Sequence, residues 1–284
     1  MSLFSSGGND ARKMPENKQL LLIRHGCSYM NEYIGSNGVR FGGPNFTDVF
    51  NEKQREKYQD SPLSPKGQQQ AKDLHDEIGS LLQLDEQEMD DESIKLKKCL
   101  MDLELVVVSP LTRAIQTAQL GLLPHLVSIK KSGIPTVAQP LAAERLYLVS
   151  DIGKPRTILQ QICGEHNIDF ESCFPSDIGW GDPWWYQVDA TNEADYREWR
   201  PTGQGQRYSC PGEPPGIFEQ RMKDLCCWLD QRDESKIALV AHFGVFEWLL
   251  QNLKAESNAN NKFGNCEMKV VDFASIFKER TKSA

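Results

Sequence analysis

Three short stretches carry side chains able to hold and attack a small anion: Arg24-His25-Gly26, Ser109-Pro110 with Arg113 soon after, and His242-Phe243-Gly244. A guanidinium presents a planar fork of donors that matches phosphate or carboxylate oxygens. An imidazole is the one side chain whose ordinary charge change falls near neutral pH, so it can serve as donor, acceptor or nucleophile. Each stretch directly follows an apolar run and opens a loop or a helix. Free backbone N–H groups and the helix dipole favour anions there. Singly, none is specific: an Arg-His-Gly triplet is common by chance, and a histidine after a strand is most often structural. Their joint placement after three separate strands points to one anion site, with phosphate as the natural occupant.

The elements that must position these groups are legible as hydrophobic patterns. Leu20-Leu21-Leu22-Ile23, Leu105-Val106-Val107-Val108 and Ile237-Ala238-Leu239-Val240-Ala241 read as strands buried on both faces, as in a parallel sheet. Ala71, Leu74, Ile78, Leu81 and Leu82 follow Ser64-Pro65 at helical spacing, with serine as cap and proline in the first helical position. Ser109-Pro110 repeats that start signal. Phe218, Met222, Leu225 and Leu229 mark another amphipathic helix, and Met268, Val270 and Phe273 mark a final strand. Alternating strands and helices predict an α/β, three-layer sandwich with a mostly parallel central sheet and helices on both faces. In such sheets ligands bind outside the carboxyl ends of the strands. The three stretches therefore converge if their strands are neighbours.

The remaining segments read as connections. Residues 1–18 are expected to form a disordered tail, residues 19–276 a single domain, and 277–284 a second tail. The acidic run Asp85, Glu86, Glu88, Asp90, Asp91 and Glu92 reads as a solvated loop within an insertion near 83–102. Glu32 to Asp60 and Pro175 to Gly216 read as long loops. In the second of these, Trp180, Trp184, Trp185 and Tyr186 could wall a site or pack beneath the loop.

Composition narrows the partners. With 32 Lys+Arg against 40 Asp+Glu, the formal charge is −8, so no overall basic field would gather nucleic acid or an anionic membrane. A small anion answers to the field of its cleft instead. No apolar run approaches the roughly 20 residues of a membrane span, and the first 18 residues lack an apolar signal core. Eight cysteines without paired zinc-ribbon spacing read as reduced thiols, hence a cytoplasmic expectation. His25, His75, His125, His166 and His242 lack close ligand spacing, so the expected chemistry calls on no metal and no cofactor. His75, His125 and His166 read as solvent-facing or capping residues, and Cys27 as an inert small side chain.

Leu21-Leu22-Ile23-Arg24-His25-Gly26, with Asn31 six residues after the histidine, resembles the signature of the histidine phosphatase superfamily, the phosphoglycerate mutase-like fold. Leu63-Ser64-Pro65-Lys66-Gly67 with Gln70-Ala71 is similar to its next segment. The run from Val108 to Ala118 is similar to its second arginine motif, and Ala143-Glu144-Arg145-Leu146 with Asp151-Ile152-Gly153 to the segment carrying its acid. Val240-Ala241-His242-Phe243-Gly244-Val245 resembles its second histidine motif. These matches run in family order from about Leu20 to Phe273.

The resemblance implies a phosphomonoester phosphatase that works through a covalent phosphohistidine on His25. Arg24, Arg113 and His242 would hold the phosphate oxygens, Asn31 would add a neutral donor, and Glu144 would be the general acid. The substrate would be a small phosphorylated molecule or a phosphoprotein. A phosphoglycerate mutase-type phosphotransferase is the alternative. Tyr147 echoes the mutase pattern, but Gly153-Lys154-Pro155-Arg156-Thr157-Ile158 lacks its arginine pair, leaving Lys154 and Arg156 as substitutes. A module that binds phosphorylated ligands without turnover is a third reading. Gly212-Glu213 resembles a Gly-Glu-Ser element, with Pro214 where the serine would stand. Oligomeric state is not encoded legibly.

Overall fold

The computed structural model describes residues 18–36, 57–129, 133–146, 148–164, 166–174, 176, 179–181, 184, 213, 215–254 and 263–277. Tyr147, Trp185, Tyr186, Gly212, most of the Glu32–Asp60 and Pro175–Gly216 segments, and both expected tails except Lys18 and Phe277 lie outside the described residues. Five strands form one sheet: β1 (Gln19–Arg24), β2 (Leu105–Val108), β3 (Thr136–Ala138), β4 (Lys236–Ala241) and β5 (Met268–Asp272). Their order is β3-β2-β4-β1-β5. All neighbours are parallel except β5, which runs antiparallel to β1 at the edge. β4 lies between β1 and β2, so the three strands that precede the candidate residues are adjacent, as convergence requires.

The α/β, three-layer expectation holds, and side-chain alternation along the strands produces it. Leu21, Ile23, Val106, Val108, Ala238 and Val240 enter one core, and Leu20, Leu22, Leu105, Val107, Ile237 and Leu239 the other. With both faces covered, the strands read as unbroken apolar runs rather than alternating ones. The first face packs against α2 (Pro65–Gln83), α3 (Asp91–Met101), α4 (Thr112–Thr117), α5 (Leu123–Ile129) and α6 (Arg156–Cys163). The second packs against α7 (Pro215–Asp230), α8 (Phe243–Lys254) and α9 (Phe273–Phe277). A short helix, α1 (Tyr29–Ser36), follows β1, so the segment read as a loop from Glu32 begins as helix. A π-helical turn (Ala118–Leu122) joins α4 to α5.

Two local readings change. The acidic stretch is not an extended loop: Asp90 caps α3 by accepting from the Ser93 N–H at 2.8 Å, and Asp91 and Glu92 occupy its first turn. Carboxylates are favourable at a helix N-terminus, and Cys99 and Leu100 bury the other end of α3. Ser64 caps α2 as expected, accepting from the Gly67 N–H at 3.2 Å. Ser109, however, does not cap α4, which begins only at Thr112. Asp60 supplies that cap from a distant turn: its Oδ1 accepts from the Thr112 N–H at 2.7 Å and its Oδ2 from the Thr112 hydroxyl at 2.5 Å. Lys18 is also fixed, its ammonium donating to the carbonyls of Leu229, Asp230 and Arg232 at the end of α7.

The loop after β1 lies almost on the start of α2. The Ser64 N–H donates to the Cys27 carbonyl at 3.0 Å. A Cβ on Gly67 would fall onto that same carbonyl, and one on Gly26 would come within 2.7 Å of the Gly67 carbonyl oxygen. Both obstacles are backbone, which no rotamer change can move aside. Gly67→Ala is therefore expected to cost about 2–3 kcal/mol, read as a lower urea midpoint, with a fall in any activity that depends on His25. An unchanged midpoint would show that the two backbones can separate freely.

Candidate active site

Register brings the rim together. Arg24 pairs with Ala241 across β1 and β4, and Val108 with Val240 across β2 and β4. His25, Ser109 and His242 thus leave the sheet side by side: the His25 N–H donates to the Ala241 carbonyl at 3.0 Å and the Ser109 N–H to the Val240 carbonyl at 3.0 Å. The two imidazole rings lie 5.0 Å apart between centroids, tilted by 56°. Both are buried.

The hydrogen bonds fix the tautomer of His25. His25 Nδ1 lies 2.7 Å from the Gly26 carbonyl, which can only accept, so Nδ1 carries the proton. Nε2 is then the basic nitrogen, and Arg113 Nε–H donates to it at 3.3 Å. His242 Nε2 lies 2.6 Å from Ser109 Oγ. That oxygen also accepts from the Leu111 N–H at 3.3 Å. His242 Nδ1 is buried and has no partner among the described residues. Burial first, and then Arg113, hold both imidazoles well below the ordinary histidine value, with Arg24 adding to the effect on each. Both are neutral at pH 7.

Arg113 sits in the first turn of α4, where Asp60 caps the helix. One terminal nitrogen donates to the Ser150 carbonyl at 2.7 Å and the other pairs with Asp151 Oδ1 at 2.9 Å, both side chains of that pair being 4% exposed. Asp151 Oδ2 in turn accepts from the Leu148 N–H at 2.8 Å. The Thr117 hydroxyl donates to the Arg113 carbonyl at 2.7 Å and accepts from the Gly26 N–H at 3.0 Å, tying α4 to the loop after β1. Gln70 holds the same loop, its Oε1 accepting from the Cys27 N–H at 2.8 Å. Arg24 donates through one terminal nitrogen to the Phe263 carbonyl at 2.6 Å and lies over the Phe243 ring at 5.3 Å. Its buried Nε has no partner among the described residues, and burial lowers its pKa.

Glu144 joins the rim from the loop after β3. Its Oε2 accepts from the Gly244 N–H at 3.2 Å, in the first turn of α8, and its Oε1 from the Arg145 N–H at 2.9 Å. A Cβ at 244 would meet the Glu144 carboxylate, so a larger residue there would displace that carboxyl group. Burial and then the Asp151 carboxylate push the Glu144 pKa up, against the opposing pull of Arg113 and the two N–H donors. Asn31 is placed differently. Ser28 and Asn31 form a reciprocal cap on α1: the Ser28 N–H donates to Asn31 Oδ1 at 3.1 Å and the Asn31 N–H to Ser28 Oγ at 3.2 Å. Its side-chain oxygen is engaged there, and only the amide nitrogen is left to donate elsewhere.

Several neighbours were not assigned roles from sequence. Asp60 and Asp151 position Arg113, and Ser109 orients His242; none shows a spacing that announces it. Arg156 is not a rim cation: it is buried between the rings of Trp180 (4.7 Å) and Phe174 (5.0 Å) and donates to the Phe170 carbonyl at 3.2 Å. Lys154 Nζ lies 3.9 Å from Asp60 Oδ2. Trp184 is buried, donates to the Lys154 carbonyl at 2.7 Å, and lines a crevice with Pro140, Leu146 and Glu144. It therefore both packs and walls a crevice.

His75 and His125 are neither free nor capping. Their rings stack at 4.0 Å, and His125 Nε2 donates to the His75 carbonyl at 2.8 Å. Cys27 is buried and its thiol is pushed up by burial, which makes it a poor nucleophile. The seven described cysteines form no disulfide with one another. No group of three or more potential metal ligands occurs among the described residues, and no helix there is long and apolar enough to cross a membrane.

No protein-family profile matches the sequence, and no curated protein matches it either. Solved structures do. A phosphoglycerate mutase from Thermus thermophilus is 18% identical with a TM-score of 0.39, the match covering 89% of this chain and 92% of that one. A candidate alpha-ribazole-5'-P phosphatase from Escherichia coli is 21% identical with a TM-score of 0.42, covering 90% of each chain. A mycobacterial hydrolase is 19% identical with a TM-score of 0.40, covering 89% of this chain and 90% of that one. Likeness at this level carries no argument about chemistry. What the rim itself contains is two buried neutral imidazoles, two guanidiniums, two buried nitrogens without a partner among the described residues, and a carboxyl group whose pKa is raised.

Proposed function

We propose that the protein is a phosphomonoester phosphatase of the histidine phosphatase superfamily, with His25 as nucleophile and Glu144 as general acid. One observation carries the reading. A neutral His25 offers an unprotonated Nε2 to the Arg113 Nε–H, and two further buried nitrogens of the rim, Arg24 Nε and His242 Nδ1, lack a partner among the described residues. Buried polar nitrogens left unpaired are costly, and a tetrahedral oxyanion is the group that would satisfy them, with His242 in the tautomer that carries its proton on Nδ1. Phosphoryl transfer needs mainly positioning and charge stabilisation, which such a cage supplies.

In the first step Nε2 attacks phosphorus in line. The P–Nε2 bond forms as the bond to the leaving oxygen breaks, and Glu144 gives that oxygen its proton. Arg113 Nε–H turns from Nε2 to a phosphate oxygen. In the second step the Glu144 carboxylate takes a proton from water, whose oxygen attacks phosphorus. The P–Nε2 bond breaks and neutral His25 returns with inorganic phosphate. Hydrolysis is favoured over mutase chemistry because a mutase must hold its second anionic group through re-phosphorylation. Arg156, one of the two cations in the Gly153–Ile158 segment, lies between two aromatic rings. Small phosphorylated molecules or phosphoproteins are the substrate class.

The test is an acid- or base-quenched reaction with a radiolabelled phosphomonoester. Label should stay on the protein in base, leave in acid, and be absent from His25→Ala. A substrate that turns over with no labelled protein at any quench time would overturn the mechanism. The pH profile gives a second check. His25 stays neutral well below its ordinary value, so the acid limb should lie below about pH 6.5. Glu144 is raised, so activity should decline on the alkaline side as its proton is lost. After allowance for the substrate's own second ionisation, an alkaline limb identical in Glu144→Gln would remove Glu144 from the reaction.

A further inference from the structure

We propose that Arg221 and Glu213, which lie outside the phosphate cage, are the positioning residues for the general acid, and that they clamp the backbone on both sides of Glu144. This rests on the reading of Glu144 as proton donor. Arg221 is on the second turn of α7 and Glu213 just precedes that helix; they are 6% and 8% exposed. All five guanidinium N–H groups of Arg221 are engaged. Nε and one terminal nitrogen each meet a Glu213 carboxylate oxygen at 2.7 Å. The other terminal nitrogen donates to the carbonyls of Leu141 (2.8 Å) and Ala143 (2.7 Å), and the last N–H to the Glu144 carbonyl at 3.3 Å.

Glu213 holds the far side. Its Oε2 accepts from the Leu146 N–H at 3.3 Å, its own N–H donates to the Leu146 carbonyl at 2.8 Å, and its carbonyl accepts from Arg145 Nε at 2.9 Å. The residues on either side of Glu144 are thus bonded to one buried ion pair, and the Glu144 carbonyl itself is among the acceptors. Among the described residues, the Glu144 loop contains no regular helix or strand of its own between the short 3₁₀ turns at Pro140–Ala142 and Val149–Asp151. Among the described residues, the N–H groups of Arg145 and Gly244 are what hold the carboxyl directly. Without the clamp the carboxyl could drift, and misplacement by about 1 Å can cost 10²-fold in rate. Lysine at 221 would keep the charge but lose the fork that reaches three carbonyls.

The substrates that test this are p-nitrophenyl phosphate, whose leaving group needs little protonation, and an alkyl phosphate, whose leaving group needs a proton. Arg221→Lys is expected to lower kcat/KM for the alkyl phosphate by about 10–100-fold while p-nitrophenyl phosphate falls by less than about threefold, and to shift the alkaline limb. Equal losses on both substrates, or no loss on either, would overturn the clamp. Removing one charge of a buried pair can unfold a protein, whereas replacing both by apolar groups often does not. Arg221→Met with Glu213→Leu should therefore fold and show the same split, and a folded double variant with no split overturns the proposal. Loss of folding in both variants would assign the pair to stability alone, and also overturns it. Glu144→Gln measured alongside separates the two levels: no split there defeats the general-acid reading, whereas a split there with none at 221 defeats the clamp alone.

Discussion

Replacing His25 with alanine is expected to lower turnover of any phosphomonoester by at least about 10⁴-fold, the scale on which removal of a nucleophile acts in enzymes that work through a covalent intermediate. The residual rate would come from the cage: Arg24, Arg113 and His242 would still bind phosphate and polarise it toward direct attack by water. Phosphate should therefore still protect the variant against thermal unfolding while phosphoenzyme is undetectable. The variant should fold, because the Gly26 carbonyl and the Arg113 N–H released by the missing ring can be reached by water. It should also be less sensitive to acid. In the intact protein His25 and His242 stay neutral when folded but take up protons near pH 6.5 when unfolded. Their contribution to stability is thus fully present above that pH and is lost as pH falls toward the folded values. Removing one imidazole removes its share of that loss. An alanine variant that keeps more than about one tenth of wild-type turnover would mean that His25 is a ligand of phosphate and not its acceptor.

The strands and the first ring of groups were legible because hydrophobic runs buried on both faces have one simple reading, and because strands place the residue that follows them at a common rim. Arg24, His25, Arg113 and His242 needed nothing more than that topology. Glu144 was legible only through a motif, since nothing in its spacing distinguishes it from a surface carboxylate; the structure sets it against the first turn of α8. Asn31, too, was legible as a donor only through the motif; its oxygen serves the cap of α1, which leaves its amide nitrogen for that role. Asp60, Ser109 and the Arg221–Glu213 pair could not be read as positioning groups. Asp60 acts on a partner 52 residues away, Arg221 on one 77 away and Ser109 on one 133 away, and sequence periodicity reports only contacts within an element. The acidic stretch misled because charge was weighed and Cys99 and Leu100 behind it were not.

Glu144→Gln should separate substrates by their leaving groups, and that separation follows from what the carboxyl is proposed to do. Glutamine keeps the shape but has one oxygen, so it accepts from only one of the Gly244 and Arg145 N–H groups; the bonds from Arg221 and Glu213 to the backbone around it should still hold the loop. Glutamine cannot release a proton. An alkyl phosphate, whose leaving oxygen would then depart as a bare alkoxide, should lose about 10²–10⁴-fold in kcat/KM, the usual contribution of general acid catalysis. With p-nitrophenyl phosphate the first step should survive almost unchanged, since nitrophenolate leaves readily without protonation. The second step should not, because water then lacks a base. The variant is therefore expected to release one equivalent of nitrophenolate per site in a burst and then to slow, with phosphohistidine accumulating on His25. The alkaline limb of the pH profile should vanish with the titrating group. A uniform loss on both substrates without a burst would place Glu144 in binding. Full activity on both would assign the proton to another donor on the rim, and Asp151, whose charge already acts on Glu144, would be the first carboxyl to replace.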